Sequence, residues 1–278
     1  MHDEAYNRIY RGDRPVLVAA PHVGTAVPEE LMRLPAWQSV QTSPADLAGE
    51  RFLDAAAMLR ISFIAARVHP CVIDVNAAAD SQAVGSEFGR SVLCRAHSPS
   101  GDVLYDEMGE PSAADVNRRI QRYWLPYHEA LRAELQRLRA AHGEVLLLVS
   151  HASSRLAPYC APYRASDCNV GTNRGVSCNR RLVTALTQTV QRSGRSWVVN
   201  GQLSDSFAAQ QYGCPTDGVH VVEIEVAGKW RDDCVQPSAA DTAEDEFGTV
   251  LASLIDALRA SPAPDRTVCA EPWIGRPR

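Results

Sequence analysis

Two short runs of branched apolar residues, 16–20 and 145–149, are each followed two positions later by a histidine, His22 and His151. Runs this short and unbroken carry no polar alternation. They read as strands buried on both faces, the inner strands of a mostly parallel sheet with helices packed above and below. In an open α/β sheet, ligands bind beyond the carboxyl ends of the strands, where the loops leave. Two imidazoles delivered to that edge suggest a metal site.

The remaining pattern alternates helix and strand. Apolar residues at Leu47, Phe52, Leu53, Ala56 and Leu59 predict a helix over 47–60, started by Ser43 or Asp46 as cap. Residues 61–66 read as a second strand and 72–76 as a third, with Asp74 and Asn76 on one side by two-residue alternation. Residues 77–111 form a long loop region. A helix follows from the Ser112 cap to Gly143, with Pro126 expected to kink or divide it. After the irregular stretch 152–175, helices are expected over 178–192, 208–212 and 240–260. Strands are expected over 196–199 and 219–226. In the last of these, alternation puts Glu223 and Glu225 on one face. There is no internal repeat and no break in composition. The chain reads as one α/β domain, 1–278, with a mixed, mostly parallel sheet, a core over about 14–260 and a loosely held tail over 261–278.

Composition narrows the partners. A net charge of −5 argues against nucleic acid, and no apolar run is long enough to span a bilayer. The start has no signal-peptide pattern. A small-molecule substrate, a cytoplasmic location and an open oligomeric state, with a monomer favoured, are the expectations. The eight cysteines form no CxxC pair, so reduced thiols are expected rather than a disulfide framework or a cysteine zinc site.

Several residues carry candidate chemistry. A hydrolytic zinc commonly takes two histidines and a carboxylate and leaves one position for water. Asp46 and Glu50 are the carboxylates nearest His22 in sequence, although acids in a first helical turn also favour the helix dipole without any metal. Glu225, charged within an apolar strand, is costly to bury unless employed, which makes it a candidate general base, with Glu223 competing. His128 reads as packed and hydrogen-bonded within its helix. Ser150 lacks the GxSxG elbow of a serine nucleophile, and no GxGxxG or P-loop occurs. Cys178, at a helix start, is a poor second choice of nucleophile.

The motifs Pro21-His22-Val23-Gly24, Val72-Ile73-Asp74-Val75-Asn76, Tyr123-Trp124-Leu125-Pro126-Tyr127-His128, Ser150-His151, Asn169-Val170-Gly171-Thr172, Gly175-Val176-Ser177-Cys178, Tyr212-Gly213 and Gly218-Val219-His220 with Glu223-Ile224-Glu225 occur in this order. In this, the chain resembles the N-formylglutamate amidohydrolases over about residues 14–260. The resemblance implies a zinc-carboxypeptidase-like α/β fold and hydrolysis of an N-formyl amide to formate and an amino acid, as in histidine degradation. It implies one zinc ion on His22, His151 and either Asp46 or Glu50, with Glu225 as the late-strand glutamate. Arg118 matches a retained family arginine; Arg155, Asp74 and Asn76 are the other expected substrate-side residues. Arginines of the family pattern are replaced by Pro70 and Ala77. Since an arginine fork binds a carboxylate bidentately, their loss implies an altered glutamate pocket. A carboxypeptidase-like or peptidoglycan-amide hydrolase, and a non-catalytic binding protein that kept the fold, are the rival expectations.

Overall fold

The computed structural model describes residues 2–4, 6–81, 84–85, 92–98, 101–105, 109–152, 166–201, 203–204, 206–235 and 243–260. The strands are β1 (His2–Glu4), β2 (Asn7–Tyr10), β3 (Val16–Ala20), β4 (Ser62–Ala66), β5 (Val84–Gly85), β6 (Cys94–Arg95), β7 (Val145–His151), β8 (Cys168–Gly171), β9 (Trp197–Val199) and β10 (Val219–Val226). The helices are α1 (Pro35–Gln41), α2 (Leu47–Met58), α3 (Ala113–Arg119), α4 (Leu125–His142), α5 (Arg180–Arg192), α6 (Phe207–Tyr212), α7 (Gly228–Val235) and α8 (Ala243–Arg259).

Eight strands form one mixed sheet in the order β1-β2-β4-β3-β7-β10-β8-β9. Its centre, β4-β3-β7-β10, is parallel, which sends β3, β7 and β10 out at the same edge. The uninterrupted apolar runs have the cause expected of them. Leu17, Ala19, Leu147, Val149 and Val221 pack on one face with Tyr127, Leu131, Leu135 and Leu138 of α4. Val16, Val18, Leu146, Leu148, Val222 and Ile224 pack on the other with Phe52 of α2, Leu182 and Leu186 of α5 and Phe247 and Leu251 of α8. Neither face of the central strands meets water, and β3 carries no polar residue and β7 none before Ser150.

Two helices start where their caps predict. Asp46 accepts from the Gly49 N–H to open α2, and Ser112 with Asp115 forms a reciprocal capping box on α3. The expected division of the long helix is present, one turn earlier than Pro126. Residues Ile120–Trp124 form a π turn between α3 and α4. Pro126 has no N–H to give the preceding turn, and that turn is the wider one, in which the Leu125 N–H reaches Ile120 O. Gly143, at φ 81°, ends α4 as its sequence signalled.

The third strand expected at 72–76 is not a strand. This segment lies outside the eight-stranded sheet, and its backbone groups are taken locally, by side chains and by the backbone of Leu93. Asp74 N–H bonds Leu93 O and Asn76 N–H bonds Asp74 Oδ1. The carbonyls of Val72, Val75 and Ala77 accept from Arg119, His128 and Trp124. Alternation of apolar and polar residues imitated a strand, but among the described residues no strand pairs with it in a ladder. The tail over 261–278 lies outside the described residues. Among the described residues, no helix is long and apolar enough to cross a membrane.

Candidate active site at the strand ends

The cluster sits where β3, β7 and β10 end. β3 hands its chain to the loop that carries His22, and β7 ends on His151. The rings of the two histidines meet edge to face with centroids 4.8 Å apart. His22 is buried and held from both sides: Nε2 lies 2.8 Å from Asp74 Oδ1, and Nδ1 accepts the Ala152 N–H at 3.0 Å. A backbone amide can only donate, so Nδ1 is unprotonated and Nε2–H donates to Asp74. Burial alone drives His22 towards the neutral form, but the charge and hydrogen bond of Asp74, with Asp46 adding, shift its pKa upwards. At Asp74 burial acts to raise the carboxyl; His22, then Arg95 and His151, outweigh it and hold the carboxyl well below the usual range.

Glu223 and Glu225 share a strand face, as alternation requires, yet they are held differently. Glu223 is wholly buried. One oxygen accepts the Ala209 N–H of α6 and the other accepts from Asn76 Nδ2, both at 3.0 Å. His151 Nε2 lies 4.0 Å from the same carboxylate. Glu225 pairs across the parallel ladder with His151 and accepts from Asn169 Nδ2 at 2.8 Å. Beneath the histidines, Asp46 accepts from Ser150 Oγ at 2.6 Å. Buried acids, two imidazoles and amide donors thus converge from seven separated segments, at 22, 46, 74–76, 150–152, 169, 209 and 223–225.

A family profile described as N-formylglutamate amidohydrolase matches residues 14–230. The chain belongs to the N-formylglutamate amidohydrolase family. An N-formylglutamate deformylase of Pseudomonas aeruginosa is 31% identical over 253 residues, covering 90% of this chain and 94% of the relative. That of Pseudomonas putida is 28% identical over 264 residues, with the same coverage. The crystal structure of an N-formylglutamate amidohydrolase from Ralstonia eutropha superposes with a TM-score of 0.70 at 19% identity, covering 91% of this chain and 98% of that one. A gene product of Agrobacterium tumefaciens superposes with a TM-score of 0.63 at 16% identity, covering 91% and 93%. These two likenesses concern the fold.

Of the residues the sequence singled out, His22, His151, Asp74, Asn76, Asp46 and Glu225 gather at this edge of the sheet. Glu50 does not join them: it is half-exposed and ion-paired with Arg8 of β2 at 2.5 Å. Arg118 points outward, paired with Asp115, and lines a surface cavity of about 660 Å³ beside Leu31, Leu34 and Tyr105. Its neighbour Arg119 turns inward instead, to Val72 O and the Tyr105 hydroxyl. Arg155 lies outside the described residues. Cys178 is buried, which pushes its thiol up to about 12 and removes it as a nucleophile. The six described cysteines are free.

Three participants carried little signal in the sequence. His69 is buried, bonding the Cys71 N–H and Ser43 O, and burial lowers its pKa to about 4. Ser150, dismissed as a nucleophile, holds Asp46. Arg95 acts electrostatically on Asp74 and His22, and its buried Nε has no partner among the described residues. The cue for Ser150 was its place on β7: it lies one residue before His151, so it faces the opposite side of the sheet, towards α2.

The side-chain types suit a zinc ion, and one arrangement does too. A histidine ligand commonly donates its second ring N–H to a carboxylate, as His22 does to Asp74. His151 donates Nδ1–H to Ala152 O, leaving Nε2 with a free lone pair. Convergence is incomplete, because Asp46 has both oxygens engaged and His22 Nδ1 faces an amide. Among the described residues no group of three His, Cys, Asp or Glu side chains is arranged to hold a metal ion.

Proposed function

We propose that this chain hydrolyses the amide of an N-formyl amino acid, with N-formylglutamate the first candidate, to formate and the free amino acid. Family membership and relatives named N-formylglutamate deformylase support the reading. The observation that carries it is the joining of His22–Asp74, His151 and the two β10 glutamates at one sheet edge.

In this reading Glu225 accepts a proton from the attacking water as its oxygen bonds the formyl carbon. The same proton passes to the nitrogen as the C–N bond breaks, so formate and amine leave and the carboxylate is regenerated. Glu223, fixed by two donors, keeps Asn76 and the His151 ring in place. Arg95, rather than the outward Arg118, is the cation offered to the substrate's negative charge. A zinc ion on His22, His151 and Asp46 would supply Lewis acidity towards the formyl oxygen and a more acidic water. Asp46 rather than Glu50 is the carboxylate beside these histidines, since its charge acts on His22 while Glu50 is turned to Arg8 of β2; to reach the ion, an Asp46 oxygen would have to release the Gly49 N–H or Ser150 Oγ. A catabolic enzyme of this kind would work on a small soluble substrate in the cytoplasm.

The test is a panel of N-formyl and N-acetyl amino acids, assayed for released formate or acetate and for amine, with chelator and with added zinc. Release from N-formyl substrates, abolished by chelation and restored by zinc, is expected. Cleavage confined to peptides or cell-wall amides, or no cleavage with any metal, would reject the reading.

A further inference from the structure

His128 lies under the site, and among the described residues its hydrogen bonds go to the Val75 carbonyl and the Tyr212 hydroxyl. Its partners fix its chemical form. Nε2 faces the Val75 carbonyl at 2.9 Å, which can only accept, so Nε2 carries the proton. Nδ1 therefore accepts from the Tyr212 hydroxyl, at 2.5 Å. The ring is buried and packs against Trp124 at a centroid distance of 3.9 Å and Phe207 at 5.5 Å.

Both partners lead to Glu223, and the Val75 side leads to Asp74 as well. Val75 stands between Asp74, which holds His22, and Asn76, which donates to Glu223. Tyr212 ends α6, and Ala209 of the same helix donates its N–H to the other oxygen of Glu223. His128, Val75, Asn76, Glu223, α6 and Tyr212 thus close a ring of buried contacts. The π turn serves this ring. Arg119, Trp124 and His128 stand five and four residues apart and donate to the carbonyls of Val72, Ala77 and Val75. A spacing of five brings 119 and 124 to the same side through a π turn and not through an α turn, and such turns recur at functional sites. One helix thereby fixes the irregular segment 72–77 that no strand supports.

We propose that His128 is a positioning residue for amide hydrolysis: bridging Val75 and Tyr212, it sets the relative placement of Asp74 and Glu223. As a statement about turnover this rests on the function proposed above; as a statement about geometry it does not. Buried side chains that orient a reacting group matter because a misplacement of about 1 Å costs on the order of 10²-fold in rate.

The experiment compares His128→Phe, which fills the space without hydrogen bonds, with His128→Gln, which keeps a donor for Val75 O. In the full-length enzyme with N-formylglutamate, His128→Phe is expected to lower kcat about 10- to 100-fold with KM changed less than about threefold. His128→Gln is expected to recover most of that loss. The second readout is the downfield ring N–H proton resonance of His22 in metal-free protein, identified by its loss in His22→Ala. It is expected to persist in His128→Gln and to shift or vanish in His128→Phe. If His128→Phe does not fold, Tyr212→Phe carries both readouts, with a smaller fall in kcat expected. Unchanged kcat in a folded His128→Phe (or its Tyr212→Phe replacement), or an equal loss in the Phe and Gln variants, overturns the proposal; so does an unmoved His22 resonance. A wild type that cleaves no N-formyl substrate rejects the function alone, and the resonance still decides the positioning.

Discussion

Both ring nitrogens of His22 are engaged, one by Asp74 and one by the Ala152 amide, so its orientation depends on those partners. Asp74→Asn keeps a hydrogen-bonding oxygen but removes the charge. It is expected to cost about 10- to 100-fold in kcat or zinc affinity, measured by steady-state kinetics and by competition with a chromophoric chelator. Loss of neither would detach Asp74 from the reaction. Glu225→Gln should abolish proton transfer, a fall of about 10²-fold or more in kcat, while the thermal midpoint stays near that of the wild type. An active Glu225→Gln enzyme moves the base elsewhere, and Glu223 is poorly placed to inherit it, with both oxygens occupied. At this scale the sequence identified residue types well and partners badly. Arg118 and Arg119 are adjacent and alike; only packing turned one outward and the other towards Val72.

Helix α2 shows how an element aims a side chain. Asp46 caps its N-terminus with one oxygen and receives Ser150 with the other, so the helix start and the floor of the site are one construction. Gly49 lies against it: a Cβ there would meet Asp46 Oδ2 and Val23 Cγ1, each at 2.5 Å. Helix propensity alone favours alanine over glycine by about 1 kcal/mol. Overpacking of this kind costs about 1–3 kcal/mol and prevails if the helix cannot move. Gly49→Ala is therefore expected to lower the denaturant midpoint and the activity together; a more stable, fully active variant would show that α2 shifts freely. The elements themselves were largely legible, because periods of 2 and 3.6 record which face is buried. The segment 72–76 carries a strand pattern but no ladder, because side chains of α3, the π turn and α4 take the carbonyls of Val72, Ala77 and Val75.

Across the whole molecule, buried neutral histidines tie stability to pH. Burial lowers His69 to about 4 and His128 to about 3, each against an ordinary value near 6.5. Below pH 6.5 the unfolded chain takes up protons at these positions and the folded chain does not, so stability falls as pH falls. The window closes near pH 4 for His69 and near pH 3 for His128. Each contributes up to about 1.4 kcal/mol per pH unit within it. Chemical denaturation at pH 7 and pH 5 should show the loss, and His128→Gln should reduce its slope; an identical slope would show that His128 is protonated in the fold.

The sequence by itself determined that the central strands would be buried on both faces, that two histidines would leave at one sheet edge, and that Glu223 and Glu225 would share a face. Those facts are local, written in apolar runs and in alternation. The tertiary structure alone decided that Asp74 meets His22, that Asn76 meets Glu223, and that Glu50 and Arg118 stay outside. Such partnerships join residues 52 and 147 positions apart. They are set by how loops without any period close over the strand ends, where each buried polar group takes whichever partner the packing brings within reach.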